Sequence, residues 1–100
     1  MIATVWRFRV KPEAIEAFER AYGPRGDWAQ LFAQAEGFAG TELLKLESQA
    51  GLYLTIDRWD STEQFERAKA NMATEYAELD RRFEAYTLEE SWFGLYAIAQ

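Results

Sequence analysis

The stretch Gly51–Asn71, GLYLTIDRWDSTEQFERAKAN, changes from a strand's periodicity to a helix's across a two-residue corner. Leu52, Leu54 and Ile56 alternate with Tyr53, Thr55, Asp57 and Trp59, which predicts a two-faced strand over Leu52–Trp59. Ser61 then stands three residues before Gln64, the spacing of a capping box in which the hydroxyl accepts from a first-turn N–H and the amide reaches back. Phe65 follows as the first side chain of that helix able to reach a core. The rest of the chain is placed around this strand–corner–helix unit.

Ile2–Val10 alternates in the same way, with Ile2, Thr4, Trp6, Phe8 and Val10 on one side and Ala3, Val5, Arg7 and Arg9 on the other. Lys11-Pro12 ends this strand and suits a helix start, after which Ile15, Phe18 and Tyr22 form an apolar stripe. Gly23-Pro24 breaks that helix. Asp27 is the expected cap of a short second helix carrying Trp28, Leu31, Phe32 and Ala35, closed by Gly37. Phe38–Glu47 reads as a strand joined to Leu52–Trp59 by a short turn, an antiparallel hairpin. Phe65, Ala68, Met72, Tyr76, Leu79 and Phe83 step by three and four, with Asn71 as a kink or a break, and Glu89–Ala99 reads as the last strand.

One hundred residues make one domain, 1–100, with a single modest core. The order β-α-(α)-β-β-α-β predicts an α+β, ferredoxin-like split βαββαβ fold: a four-stranded antiparallel sheet in order 4-1-3-2 with the helices on one face. Placing the more apolar set of each strand against the helices puts Trp6, Phe8, Val10, Leu44, Leu46, Leu52, Leu54, Ile56, Phe93 and Leu95 inside. The other face then carries Val5, Arg7, Arg9, Leu43, Lys45, Tyr53, Thr55, Asp57, Trp59, Trp92, Tyr96 and Ile98, too aromatic to stand open to water. A second copy of the chain laying its own sheet there would cover it, which predicts a homodimer through the sheet faces.

The net charge of −6 argues against a sequence-independent phosphate binder, so no nucleic-acid partner is expected. From Asp60 to Glu90 nine acids oppose four bases, an acidic solvated helical surface. The chain has no cysteine for thiol chemistry and no histidine, the commonest metal ligand and general base. Its carboxylates fall at helix-surface spacings, so no bound metal is expected. Without a run of about 20 apolar residues or a signal-peptide start, the expectation is a cytoplasmic protein with no membrane partner.

Arg7, Arg9 and Asp57 fall on strands predicted to be neighbours. They form either a cross-strand ion pair that holds register or part of a small cavity. In the cavity reading, a guanidinium meets an anionic or carbonyl oxygen between walls of Tyr53, Trp59, Trp92 and Tyr96. Asp57 would orient the arginine or take a proton.

Val10–Pro12 leading to Phe18, the segment Ala21–Leu44, Tyr53–Phe65 (YLTIDRWDSTEQF) and Glu75–Asp80 (EYAELD) together resemble the antibiotic biosynthesis monooxygenase (ABM) family of the dimeric α+β barrel superfamily. The resemblance covers nearly the whole chain. It implies a homodimer whose two sheets form a barrel, with a pocket between sheet and helices or near the barrel mouth. Characterised relatives include cofactor-independent oxygenases of aromatic polyketides, in which the substrate supplies much of the electron density, and haem-degrading enzymes that use an Asn, a Trp and a His. The haem set cannot be carried over: the first strand has no Asn, Ala68 stands near the expected Trp, and the chain has no His. The implied function is binding of a small aromatic or enolisable molecule by a cofactor-independent monooxygenase, with a non-catalytic dimeric binding or interaction module of the same fold as the alternative.

Overall fold

The computed structural model describes Met1–Gln100. Strands β1 (Ile2–Val10), β2 (Phe38–Lys45), β3 (Leu52–Trp59) and β4 (Thr87–Ala97) form one antiparallel sheet in order β2-β3-β1-β4, the predicted order counted from the other edge. Helices α1 (Ile15–Tyr22), α2 (Asp27–Phe32), α3 (Thr62–Asn71) and α4 (Ala73–Phe83) complete the α+β, ferredoxin-like arrangement. Phe8, Val10 and Tyr53 of the sheet meet Phe18, Tyr22, Trp28, Leu79 and Phe83 of the helices in the main core. Phe18 sits at its centre, fully buried and stacked on Tyr22 with ring centroids 4.1 Å apart. No helix is long and apolar enough to cross a membrane.

The corner after β3 is held from several sides. The Gln64 backbone N–H donates to Ser61 Oγ at 3.2 Å, the cap the spacing predicts. The return arm differs, because the Ser61 hydroxyl itself donates to Gln64 Oε1 at 3.2 Å. The Gln64 side chain lies against Gly37, whose φ of +95° suits only glycine comfortably. The Asp60 N–H donates to the Gly37 carbonyl at 2.7 Å, tying the corner to the entrance of β2.

Elsewhere the ends of elements shift. A 3-10 turn at Pro12–Ala14 precedes α1, and α2 ends at Phe32 rather than running to Gly37. Gly26 caps α2, while Asp27 is its first residue and pairs with Arg82 at 3.0 Å. The third and fourth helices are separate, broken at Met72 (φ −106°, ψ 15°), one residue beyond Asn71.

The faces of the sheet need a larger correction. Across the β1–β3 ladder Phe8 stands opposite Tyr53, Trp6 opposite Thr55, Thr4 opposite Asp57 and Ile2 opposite Trp59. Residues directly opposite share a face, so Tyr53, Thr55, Asp57 and Trp59 join Trp6 and Phe8 beneath the helices. Leu43 follows them, opposite Thr55. Leu52, Leu54 and Ile56 turn to the open face beside Arg7, Arg9, Val5 and Leu44. β3 keeps its period of two, with Tyr53, Thr55, Asp57 and Trp59 rather than Leu52, Leu54 and Ile56 beneath the helices. An aromatic ring buries 150–250 Å², more than an aliphatic chain, and the register buries Tyr53 and Trp59 almost completely at 3% and 1% exposure.

In β4 a bulge opposite Val5/Trp6 breaks the alternation. Trp92 lies across from Trp6 on the helix side, whereas Gly94 and Tyr96 lie across from Val5 and Ala3 on the open side. Gly94, at φ +135°, supplies the backbone conformation the bulge needs. Leu95, opposite Thr4, keeps the helix side, while Phe93 falls at the bulge and is half exposed.

Phe18→Ala removes the centre of the core and is expected to cost about 3–5 kcal/mol. Its urea-unfolding midpoint, compared with the parent's at equal slope, checks this.

Candidate functional site

Between the sheet and the helices lies a cavity of about 360 Å³, a size suited to a small organic molecule. Its floor is the helix-facing row of β1 and β3, Thr4 and Trp6 with Thr55, Asp57 and Trp59. Its roof comes from Tyr22, Trp28 and Phe32 of the first two helices and from Phe65, Lys69, Tyr76 and Asp80 of the last two. Glu90 and Trp92 of β4 close one side. The apolar rings pack edge to face, as in Trp6–Trp92 at 5.2 Å and Trp28–Tyr76 at 4.8 Å between centroids.

Asp57 is the buried charge of this cavity, 8% exposed. Thr41, directly opposite on β2, donates its hydroxyl to Asp57 Oδ1 at 2.5 Å. Burial pushes the carboxyl up to about 6, and the Thr41 hydrogen bond, which favours the charged form, holds it back in part. A carboxylate near 6 is a base matched to neutral pH.

Two indole nitrogens, Trp28 Nε1 and Trp59 Nε1, are buried without an acceptor, and both residues line the cavity. The Trp28 ring moderates the rise of the neighbouring Tyr22 phenol, which burial drives upward, but stands outside hydrogen-bonding geometry with it. Orphaned buried donors are uncommon. A ligand oxygen would satisfy them.

Tyr76 is pushed up to about 12, first by burial and then by the negative charges of Asp80, Asp57 and Glu90. Asp80 and Glu90 are themselves raised, each by burial first; Glu84 adds to the rise at Asp80, and Asp80 to that at Glu90. No group of three or more acidic side chains is arranged to hold a metal ion.

Of the residues singled out from sequence, Asp57, Trp59 and Trp92 meet in this cavity. Tyr53 lies in the core beyond it, its hydroxyl donating to Glu19. The constellation of Arg7, Arg9 and Asp57 does not form. Arg7 and Arg9 stand opposite Leu54 and Leu52 on the open face, and Arg9 pairs with Glu89 at 3.5 Å. Tyr96 is on that open face too, half exposed. The inversion of β3 separates the arginines from Asp57, and the β4 bulge separates Trp92 from Tyr96.

Sequence reading missed Thr41, Trp28, Tyr76, Asp80 and Glu90. Trp28 and Tyr76 stand on apolar helical stripes of the kind that fill a core, and Asp80 lies one helical turn beyond Tyr76. Thr41 follows Gly40, whose φ of +123° accompanies a register shift between β2 and β3. A glycine inside a strand is the available signal for such a re-aimed neighbour.

A model of the family described as "Antibiotic biosynthesis monooxygenase" matches residues 1–79. No curated protein matches the chain. Among solved structures, SnoaB, a cofactor-independent oxygenase from Streptomyces nogalater, is 26% identical with a TM-score of 0.71, covering 99% of this chain and 93% of that one. A protein from Nitrosomonas europaea assigned to the antibiotic biosynthesis monooxygenases is 16% identical with a TM-score of 0.76 over 100% of both chains. One from Deinococcus radiodurans with the same assignment is 14% identical with a TM-score of 0.77, covering 100% of this chain and 94% of that one. These last two share the fold.

The site predicts an unusual pH profile of stability. The folded-state pKa of Asp57, about 6, lies above its unfolded value of 3.8. Its protonated form therefore favours folding fully below pH 3.8, and that contribution fades as the pH rises to about 6. Asp57→Asn should remove this decline, be more stable than the parent at pH 8 by about 1–3 kcal/mol and therefore melt at a higher temperature. Thermal melts of both proteins from pH 4 to pH 8 check it; equal melting temperatures at pH 8 would place Asp57 in water.

Proposed function

The chain belongs to the antibiotic biosynthesis monooxygenase family, and from that premise we propose that it oxygenates a small enolisable aromatic substrate, using a carboxylate of its own as base. The observation that carries this reading is Asp57: a buried, Thr41-bonded carboxyl inside an aromatic cavity, two residues along the strand from the unpartnered Trp59 N–H. The 26% identity to a cofactor-independent oxygenase supports the same class of chemistry.

In this reading Asp57 removes an acidic C–H proton from the bound ring system, and the Trp59 indole donates to the oxygen on which enolate charge collects. The enolate carbon bonds to dioxygen, giving a peroxide that takes back the proton. Loss of the second C–H proton with cleavage of the O–O bond leaves a ketone and water. For an anthrone the balance is one CH₂ and one O₂ in, one C=O and one H₂O out, so the substrate supplies all the electrons. The protein binds, orients and moves a proton.

Oxygen uptake with anthrone as the probe tests this. Uptake should match quinone formation one to one and rise with pH through about 6. Asp57→Asn should slow it by about 10²–10⁴-fold while the anthrone Kd stays within a few-fold. Anthrone binding without uptake would leave the non-catalytic binding module in its place.

The open sheet face supports a homodimer. Leu44, Leu46, Tyr96 and Ile98 are exposed by 39–51%, and Leu52, Leu54 and Ile56 lie among them half-buried. β4, an edge strand, exposes Trp92, Phe93 and Leu95 as well. A monomer seldom leaves so continuous an apolar face and edge in water. A second copy across this face would cover its apolar side chains. Sedimentation should give about twice 11.6 kDa at micromolar concentration. Leu44→Asp and Tyr96→Asp should halve that mass, because a charge without a partner is costly to bury; a parent that sediments as a folded monomer would remove the dimer.

A further inference from the structure

The charge of the cavity selects its ligand more narrowly than oxygenation requires. Every apolar side chain that lines it is aromatic, and all four tryptophans of the chain are among them. Its charged lining is Asp57, Asp80 and Glu90 against Lys69 alone. Ring faces carry the negative lobe of a quadrupole, so the walls and the carboxylates favour the same kind of guest, a cation.

None of the three carboxylates has a cationic partner. The ion pairs of the chain engage Glu16, Glu19, Asp27, Glu42 and Glu89. Asp57, more than nine-tenths buried, has only the Thr41 hydroxyl. Asp80 and Glu90 are exposed at the mouth, and the charge of Asp80 adds to the rise at Glu90. Lys69 does not neutralise them. It is exposed and lies 5.8 Å from the centroid of the Phe65 ring.

We propose that the cavity takes an aromatic amine, its ring held among Trp6, Trp28, Tyr76 and Trp92 and its ammonium group between Asp80 and Glu90. The ring would lie over Asp57, the deeper carboxyl, and the cationic substituent would remain at the mouth where water still reaches it. An aromatic carboxylate of the same size would meet three like charges, and a neutral alcohol would keep the ring contacts but forgo the attraction of a positive charge for the carboxylates and the ring faces. The proposal rests on the reading of this cavity as the ligand site and adds the charge of the ligand to it.

The test is calorimetric titration of the whole chain with three probes of one shape: 1-naphthylmethylamine, 1-naphthylmethanol and 1-naphthoate. The amine, protonated at neutral pH, should bind about tenfold tighter than the alcohol, with the carboxylate weakest. In the Asp80→Asn/Glu90→Gln double variant that advantage should largely vanish while the alcohol binds as it does to the parent, which also reports that the variant is folded. Equal affinity for amine and alcohol, or tightest binding of the naphthoate through Lys69, overturns the amine proposal and leaves the cavity as the ligand site. Heat from none of the three probes overturns both readings together.

Discussion

The β1–β3 register decides what this molecule can do. By setting Phe8 against Tyr53, Thr4 against Asp57 and Ile2 against Trp59, it gathers two large aromatics and one carboxylate under the helices. A slip of one residue would turn that whole set outward and bring Leu52, Leu54 and Ile56 in. The clamp at the end of β3 opposes such a slip. Asp60 is bonded to the Gly37 carbonyl, Ser61 caps α3, and Gln64 fills the space a side chain at position 37 would need.

Burial of Asp57 sets stability against chemistry. An apolar or amide side chain there would spare the protein the desolvation of a carboxylate, yet a carboxyl lifted to about 6 is a stronger base than an ordinary one and still ionises near neutral pH. Thr41 tempers the cost by favouring the charged form. The aromatic ring packing around it, with Phe32 against Trp59 at 5.6 Å and Trp59 against Phe65 at 5.7 Å, keeps the site in low dielectric. That low dielectric raises the carboxyl, and it also strengthens any hydrogen bond made inside the cavity.

The two faces of the sheet differ because each received a different mix of apolar residues. Aromatics went beneath the helices, where the space between elements forms a cavity. Leu44, Leu52, Leu54 and Ile56 went to the open face beside Tyr96, together with charged side chains: Arg9 pairs with Glu89, and Arg58 with Glu42. These are exposed pairs of small energetic weight.

Strand and helix locations, the strand order, the hairpin and the Ser61 cap were legible in the sequence, since each depends on local periodicity or on a few adjacent residues. The family resemblance of Tyr53–Phe65 was legible for the same reason. The cavity was legible only in part: Asp57, Trp59 and Trp92 were named, but with Arg7, Arg9 and Tyr96 as companions that the fold places on the opposite side of the sheet. Alternation alone states that two faces differ. It does not state which one the helices cover when both are apolar, as in β3, and it fails across a bulge such as that at Phe93–Gly94. Those choices belong to the tertiary structure, because they turn on how much ring surface Tyr53 and Trp59 bury against helices distant in sequence. Thr41 comes from β2, Tyr76 and Asp80 from α4 and Glu90 from β4, and only the packed fold brings them around one cavity.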